Sequence, residues 1–115
     1  MAFSELERKR YEKAVSRFIE PRRPSPDIRQ ELDLGFRLEA QSVEIFEVRP
    51  DWRDPSERME NPVAKATYVK RAAEWRIYWQ RADLKWHRYD PHPTASTIEE
   101  FLEVVDEDAY CCFFG

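Results

Sequence analysis

The sequence predicts an α+β fold: an antiparallel sheet of about five strands in a meander, with N- and C-terminal helices on one face. Three observations carry this expectation. Each end of the chain holds a helix signature, the middle alternates apolar with polar residues, and short turn-forming stretches separate the alternating runs. Strands joined by short turns pair as antiparallel neighbours, and flanking helices bury their apolar stripes against them. The 115 residues are read as a single domain, 1–115, with one modest core.

Ser4 to Ile19 opens the chain as a helix. Ser4 and Glu7 have capping-box spacing, and Tyr11, Ala14, Val15, Phe18 and Ile19 recur at intervals of three and four. The prolines of PRRPSP, residues 21–26, end it, and Ser25 is expected to cap a short helix from Pro26. Leu34, Phe36 and Leu38 alternate with Gly35, Arg37 and Glu39 in a first strand. Val43–Val48, apolar on both faces, makes a more central second strand. Residues 49–62, RPDWRDPSERMENP, read as a long polar loop with three prolines, and loops of that length are often functional or mobile. A third strand is expected over Val63–Lys70, followed by a hairpin of Trp75–Arg81 and Leu84–Tyr89 turning near Ala82–Asp83. The run PHP at 91–93 breaks the sheet. Thr97 and Glu100 then form a second capping box that opens a helix through about Val105, and Tyr110–Phe114 reads as a short edge strand or docked segment.

Charged residues make up 37% of the chain and hydrophobic ones 42%, while 14% aromatic content argues against disorder. The net charge of −4 is unevenly spread. Residues 1–30 carry eight Lys/Arg against five Asp/Glu, whereas residues 97–115 carry six acids and no base. That polarity suits contact between the two ends, within one chain or between two. Overall acidity counts against a dedicated nucleic-acid binder. The N-terminus MAFSELERKR has no apolar signal region and no segment approaches membrane-span length, so a cytoplasmic protein with reduced Cys111 and Cys112 is expected.

The densest stretch is Trp75–Tyr89, WRIYWQRADLKWHRY, which holds three of the four Trp residues interleaved with Arg76, Arg81, Lys85 and Arg88. Such rings beside cations stack on flat or cationic ligands and anchor interfaces. Alternation assigns Trp75, Ile77 and Trp79 to the core. The faces of Tyr78, Trp86 and Tyr89 depend on the hairpin register.

The segments DPSERMENPVAKATYVK, RADLKWHRYDP and EEFLEVVDEDAYCCFFG together resemble a family of short bacterial proteins of unknown function. The likeness runs along nearly the whole chain, and the closing EFLEVVDED-Y-CFFG is its most distinctive part. It implies a complete single-domain protein and brings no activity, cofactor or catalytic residue with it.

Chemical constellations are sparse. His87 with Asp83 and Asp90 could form an acid–base set, but a satisfied surface histidine is by far the commoner arrangement for an isolated polar residue with no pocket in view. Adjacent Cys111 and Cys112 alternate in direction and suit a metal poorly, even with His87 or His92 nearby. Asp33, Glu47 and Arg49 match only loosely the acid–acid–base sets of metal-dependent nucleases. Gly35 and Gly115 are the only glycines, which excludes a phosphate-cradling loop. No catalytic residue, cofactor or metal is implied. The expected function is a non-enzymatic binding or interaction domain, a homodimer engaging an unidentified protein or small ligand, with no membrane partner. Its candidate contact residues are Trp52, Arg53, Tyr78, Arg81, Trp86, His87 and Tyr89, combining the last hairpin with the 50–62 loop. The alternatives are a small enzyme or ligand-binding protein using His87 with an acid, and a single-stranded nucleic-acid binder.

Overall fold

The computed structural model describes residues 3–108 and Phe113. Helix α1 (Glu5–Ile19) precedes strands β1 (Asp33–Glu39), β2 (Ser42–Pro50), β3 (Arg58–Val69), β4 (Glu74–Gln80), β5 (Trp86–Arg88) and β6 (Thr94–Ala95), and helix α2 (Ile98–Glu107) follows them. The sheet is an antiparallel meander in the order β1-β2-β3-β4-β5, and β6 also pairs with β4. The α+β architecture therefore holds, with a sixth strand. Tyr110–Phe114, apart from Phe113, and the Cys111–Cys112 pair lie outside the described residues.

The ends of α1 follow from local chemistry. The Glu7 amide donates to Ser4 Oγ at 3.2 Å and the Ser4 amide to Glu7 Oε1 at 2.9 Å, so two first-turn donors are satisfied reciprocally. These bonds hold the Glu7 carboxyl below the ordinary glutamate range. Pro21 turns the chain into a 3-10 segment, Glu20–Arg22. No helix follows it: residues 26–31 form successive turns, in which the Ile28 amide donates to the Ser25 carbonyl at 2.9 Å. Too few apolar residues face the core here to hold a helix, and Ile28 is exposed.

The largest departure from expectation is the 49–62 segment. Strand β2 continues to Pro50 and β3 begins at Arg58, so only residues 51–57 form the connection. The Asp51 and Asp54 side chains fold it, accepting from the Arg53 and Ser56 amides at 2.9 and 3.1 Å. Polar composition marks this stretch because the hairpin projects beyond the core. Its pairing runs Phe46↔Pro62 through Pro50↔Arg58, past Ala64, where pairing with β4 ends. A bulge at Val63 shifts the register, and Pro62, lacking an amide hydrogen, lies beyond the last residue paired with β4.

Alternation divides the sheet. The inner face presents Leu34, Phe36, Leu38, Val43, Ile45, Ala64, Ala66, Tyr68, Trp75, Ile77 and Trp79 to α1 and α2, whose Val15, Phe18, Phe101 and Val105 belong to the same core. Trp75, 2% exposed, is its hub. Its ring lies 5.7 Å from Phe3, 5.0 Å from Tyr11 and 5.2 Å from Tyr68, joining the N-terminus, α1 and β3. On the outer face Gly35 faces Phe46, and a Cβ there would stand 2.7 Å from the Phe46 ring. The basic and acidic ends meet within the chain, as Arg22 pairs with Asp106 at 2.8 Å. Among the described residues no helix is long and apolar enough to cross a membrane.

This packing sets two expectations for stability. Trp75→Ala should cost about 3–5 kcal/mol and Gly35→Ala about 1–3 kcal/mol in denaturant unfolding. A Gly35→Ala variant as stable as wild type would show that the Phe46 ring yields freely. The second concerns Arg23, which grips Asp33 through two bonds of 2.8 Å and joins the end of α1 to the start of β1. The guanidinium holds the Asp33 carboxyl below the ordinary aspartate range. A carboxyl whose folded value lies below its unfolded one, about 3.9, contributes fully above that pH and loses the contribution as pH falls through the folded value. Asp33→Asn should therefore lower the melting temperature at pH 7, and the difference from wild type should shrink below about pH 4.

Candidate functional site

Neither helix covers the outer face of the sheet, and strand register arranges its residues in transverse rows. One row reads Arg37, Glu44, Lys65, Tyr78, Arg88 across β1 to β5. The next reads Glu39, Ser42, Thr67, Arg76, Thr94. Trp86, opposite Gln80, lies diagonally beside Tyr78. On the β1–β2 side the charges answer one another: Arg37 contacts Glu60, stands 3.9 Å from Glu44 and covers the Phe46 ring at 4.6 Å. The β3–β6 side is different. Tyr78 and Trp86 are half-buried there among Lys65, Arg76 and Arg88. The Lys65 ammonium sits 5.7 Å from the Trp86 ring centre.

This side holds a concavity of about 400 Å³ lined by Glu74, Arg76, Tyr78, Arg88, Pro93 and Thr94. That volume lies within the range of small-ligand sites. Its rim is an interruption of the edge strand. The Tyr89 amide donates to the Ile77 carbonyl at 2.9 Å, and the Ile77 amide donates to the Pro93 carbonyl at 2.9 Å. Residues 90–92 are thus looped out between two bonds to one residue of β4, and β5 and β6 run along the same side of that strand. The loop is pinned from behind. His92 Nε2 lies 2.8 Å from Glu100 Oε2, while Glu100 Oε1 accepts the Ser96 amide at 2.9 Å. The Ser96 bond, followed by His92, holds the Glu100 carboxyl below its ordinary range. The expected capping box at α2 is accordingly one-sided: Thr97 accepts the Glu100 amide at 3.1 Å, but the Glu100 carboxylate reaches Ser96 and His92.

The two site arginines keep exchangeable partners. Arg88 Nε meets Asp90 at 2.8 Å and Arg76 Nε meets Glu74 at 3.5 Å, both pairs at the surface. Exposed pairs of this kind contribute little, so an incoming anion competes for either guanidinium at small cost.

The seven sequence candidates do not form one surface. Tyr78 and Trp86 share the open face. Tyr89 points the other way: it is 2% exposed, within the core, with its ring 4.7 Å from Phe113. It follows Arg88 in register, so alternation sends it inward. Arg81 lies over Trp79 at 5.6 Å, covering the end of the core. Trp52 is 79% exposed, with Arg53 5.4 Å from its ring, at the tip of the projecting hairpin. From Ala64 to Arg58 a strand advances roughly 20 Å, so this tip stands apart from the Tyr78–Trp86 pair.

His87 lies opposite Trp79, on the inner-face side of the edge. Its Nε2 is 2.8 Å from Asp83 Oδ2, while Asp90 turns to Arg88. Asp83 also accepts the Lys85 amide at 2.9 Å, and that bond, followed by His87, lowers its carboxyl pKa. The pair therefore closes the hairpin turn, where Leu84 adopts a positive φ of 64°. Asp33 is engaged by Arg23, and Glu47 pairs with Arg49 at 3.7 Å. Among the described residues no three His, Cys, Asp or Glu side chains stand together in a way that could hold a metal. The residues that sequence reasoning missed are Lys65, Arg76, Arg88 and Thr94. Each is an ordinary alternating polar position until register sets Lys65 and Arg88 on either side of Tyr78 and Thr94 opposite Arg76.

The match to known families spans the same residues that build this sheet. The chain belongs to the family described as a domain of unknown function (DUF3024), whose model matches residues 3–115. No curated protein and no solved structure matches it.

If Tyr78 and Trp86 serve the surface rather than the core, Tyr78→Ala and Trp86→Ala should each lower unfolding stability by about 1 kcal/mol or less, against the far larger loss at Trp75. A loss of about 3 kcal/mol at either position, measured by urea titration, would make that ring structural.

Proposed function

We propose that this member of the family is a non-enzymatic binding domain of the cytoplasm, and that it engages its partner through the uncovered face of the sheet at β3–β6. The observation that carries this reading is Tyr78 and Trp86 standing side by side on a face that no helix covers, bordered by Lys65, Arg76 and Arg88. Half-buried rings close to cations cost little to order, because aromatic side chains have few rotatable bonds, and their open faces supply contact area. Ionic rows on both sides of the rings favour a polar, partly anionic partner over a greasy one. A homodimer closed by sheet-on-sheet packing fits this face poorly, since buried homodimer interfaces are depleted in charge. The charge polarity that suggested a dimer is also answered within the chain by Arg22 and Asp106.

An acid–base enzyme centred on His87 finds less support. Its carboxylate partner also holds the hairpin turn, and the concavity is lined by other residues.

Amide NMR of the labelled protein titrated with a fragment library of anionic and aromatic compounds tests the proposal. Shift changes should gather on β3, β4, β5 and β6 around Tyr78. Changes centred on His87, or on the Trp52 tip, with an unaffected open face would overturn it.

A further inference from the structure

We infer that the occupant of the open face is single-stranded nucleic acid, with bases stacked on Tyr78 and Trp86 and phosphates held by Lys65, Arg76 and Arg88. This rests on the reading of that face as the binding surface, and it names the partner.

The argument begins with spacing. Tyr78 is directly opposite Arg88, and Trp86 lies two residues before Arg88. The two rings are therefore diagonal neighbours on adjacent strands, about 7–8 Å apart at Cα. An extended nucleotide chain presents successive bases at comparable intervals, and antiparallel sheets with exposed rings can stack two or three of them. A duplex hides its base faces, so this platform selects unpaired strands.

Charge adds to the spacing. Lys65 lies directly across β3–β4 from Tyr78 and next to the Trp86 ring, while Arg88 lies across from Tyr78 on the other side. The cations thus border the rings, where a backbone passing over stacked bases places its phosphates. Lys65 stands opposite Glu44 in register, but Glu44 lies 3.9 Å from Arg37 and no described carboxylate comes within ion-pair distance of the Lys65 ammonium. Asp90, facing Arg88, is at the surface and Glu74, facing Arg76 at 3.5 Å, is partly exposed, so phosphate can displace either partner. Thr94, beside Arg76, adds a hydroxyl at the rim of the concavity.

The net charge of −4 does not oppose this arrangement. Much of the acidity lies on α2, whose Glu99, Glu103, Asp106 and Glu107 belong to the helix packed on the other face of the sheet. Around the rings three cations stand against Glu74, Asp90 and, across from Lys65 on β2, Glu44, which also faces Arg37.

Fluorescence anisotropy of the full chain with labelled 12-nucleotide oligo(dT) and oligo(U) at low salt tests the inference. Binding is expected, with affinity falling as salt rises. Tyr78→Ala and Trp86→Ala should each weaken it by about 5- to 100-fold, and Tyr78→Phe, which keeps the ring, should retain it. Lys65→Gln and Arg88→Gln should each reduce the slope of log affinity against log salt by about 0.7. Lys13→Gln and Arg17→Gln on α1 should change nothing. Equal affinity for a duplex of the same length, competition by free UMP at equal affinity, or loss of binding on changing α1 would each overturn it. So would the absence of binding at low salt. In that case, fragments still mapping to β3–β6 by NMR would leave the binding-surface reading standing, and fragments mapping elsewhere would remove both.

Discussion

The packing of three rings around Trp75 is the contact on which the rest of the molecule depends. Phe3, Tyr11 and Tyr68 approach it from the N-terminal segment, α1 and β3, and Phe3 also meets Tyr11 edge-on at 4.9 Å. Edge-to-face and tilted contacts of this kind add directionality to apolar burial. They fix where α1 crosses the sheet, which decides which face is filled. Once Trp75 points inward, strand geometry sends Ile77 and Trp79 with it and leaves Arg76 and Tyr78 outside. The candidate site is the reverse side of the core.

Two interruptions modify that alternation. At Val63 an extra residue lets Val63 and Ala64 both be buried, and the bulge marks where the long hairpin leaves the helix-covered sheet. At residues 90–92 the chain leaves the edge of β4 and returns, which builds the rim of the concavity. Tight turns are made without glycine. Ala40, Ala73 and Leu84 adopt the left-handed conformation with φ of 53°, 51° and 64°. Non-glycine residues seldom adopt this geometry, so surrounding pairing must impose it. At the Leu84 turn, Asp83 supplies part of that constraint by holding both Lys85 and His87.

The charges follow a division of labour. Arg23–Asp33 and Arg22–Asp106 tie the segment after α1 to β1 and to α2. On the open face, β1 and β2 form a self-answering group with Phe46 beneath Arg37. The free N–H and C=O groups of an edge strand invite pairing with other chains, and β1 is partly closed against this: its Leu34 amide bonds the Asp33 carboxylate at 2.8 Å and its Leu38 carbonyl accepts from Arg8 at 3.5 Å. The β3–β6 side of the sheet is then where ring surface and cations stand together beside a concavity.

How much of this was legible beforehand depends on the range of the interactions involved. Local chemistry determined the α1 cap at Ser4–Glu7, the stripes of both helices, the alternation that turns Trp75, Ile77 and Trp79 inward, and hence the α+β meander, because each rests on residues within a few positions of one another. The length of the β2–β3 hairpin is not legible in the sequence, since prolines and polar residues describe a projecting hairpin as readily as a loop. The site was legible only as ring density. That Tyr89 turns into the core, that His87 closes a turn, that Trp52 stands apart, and that Lys65 and Arg88 flank Tyr78 are consequences of strand register. Register is set by the summed burial of a whole face, a tertiary quantity, and a shift of one residue would exchange every inward side chain for its outward neighbour.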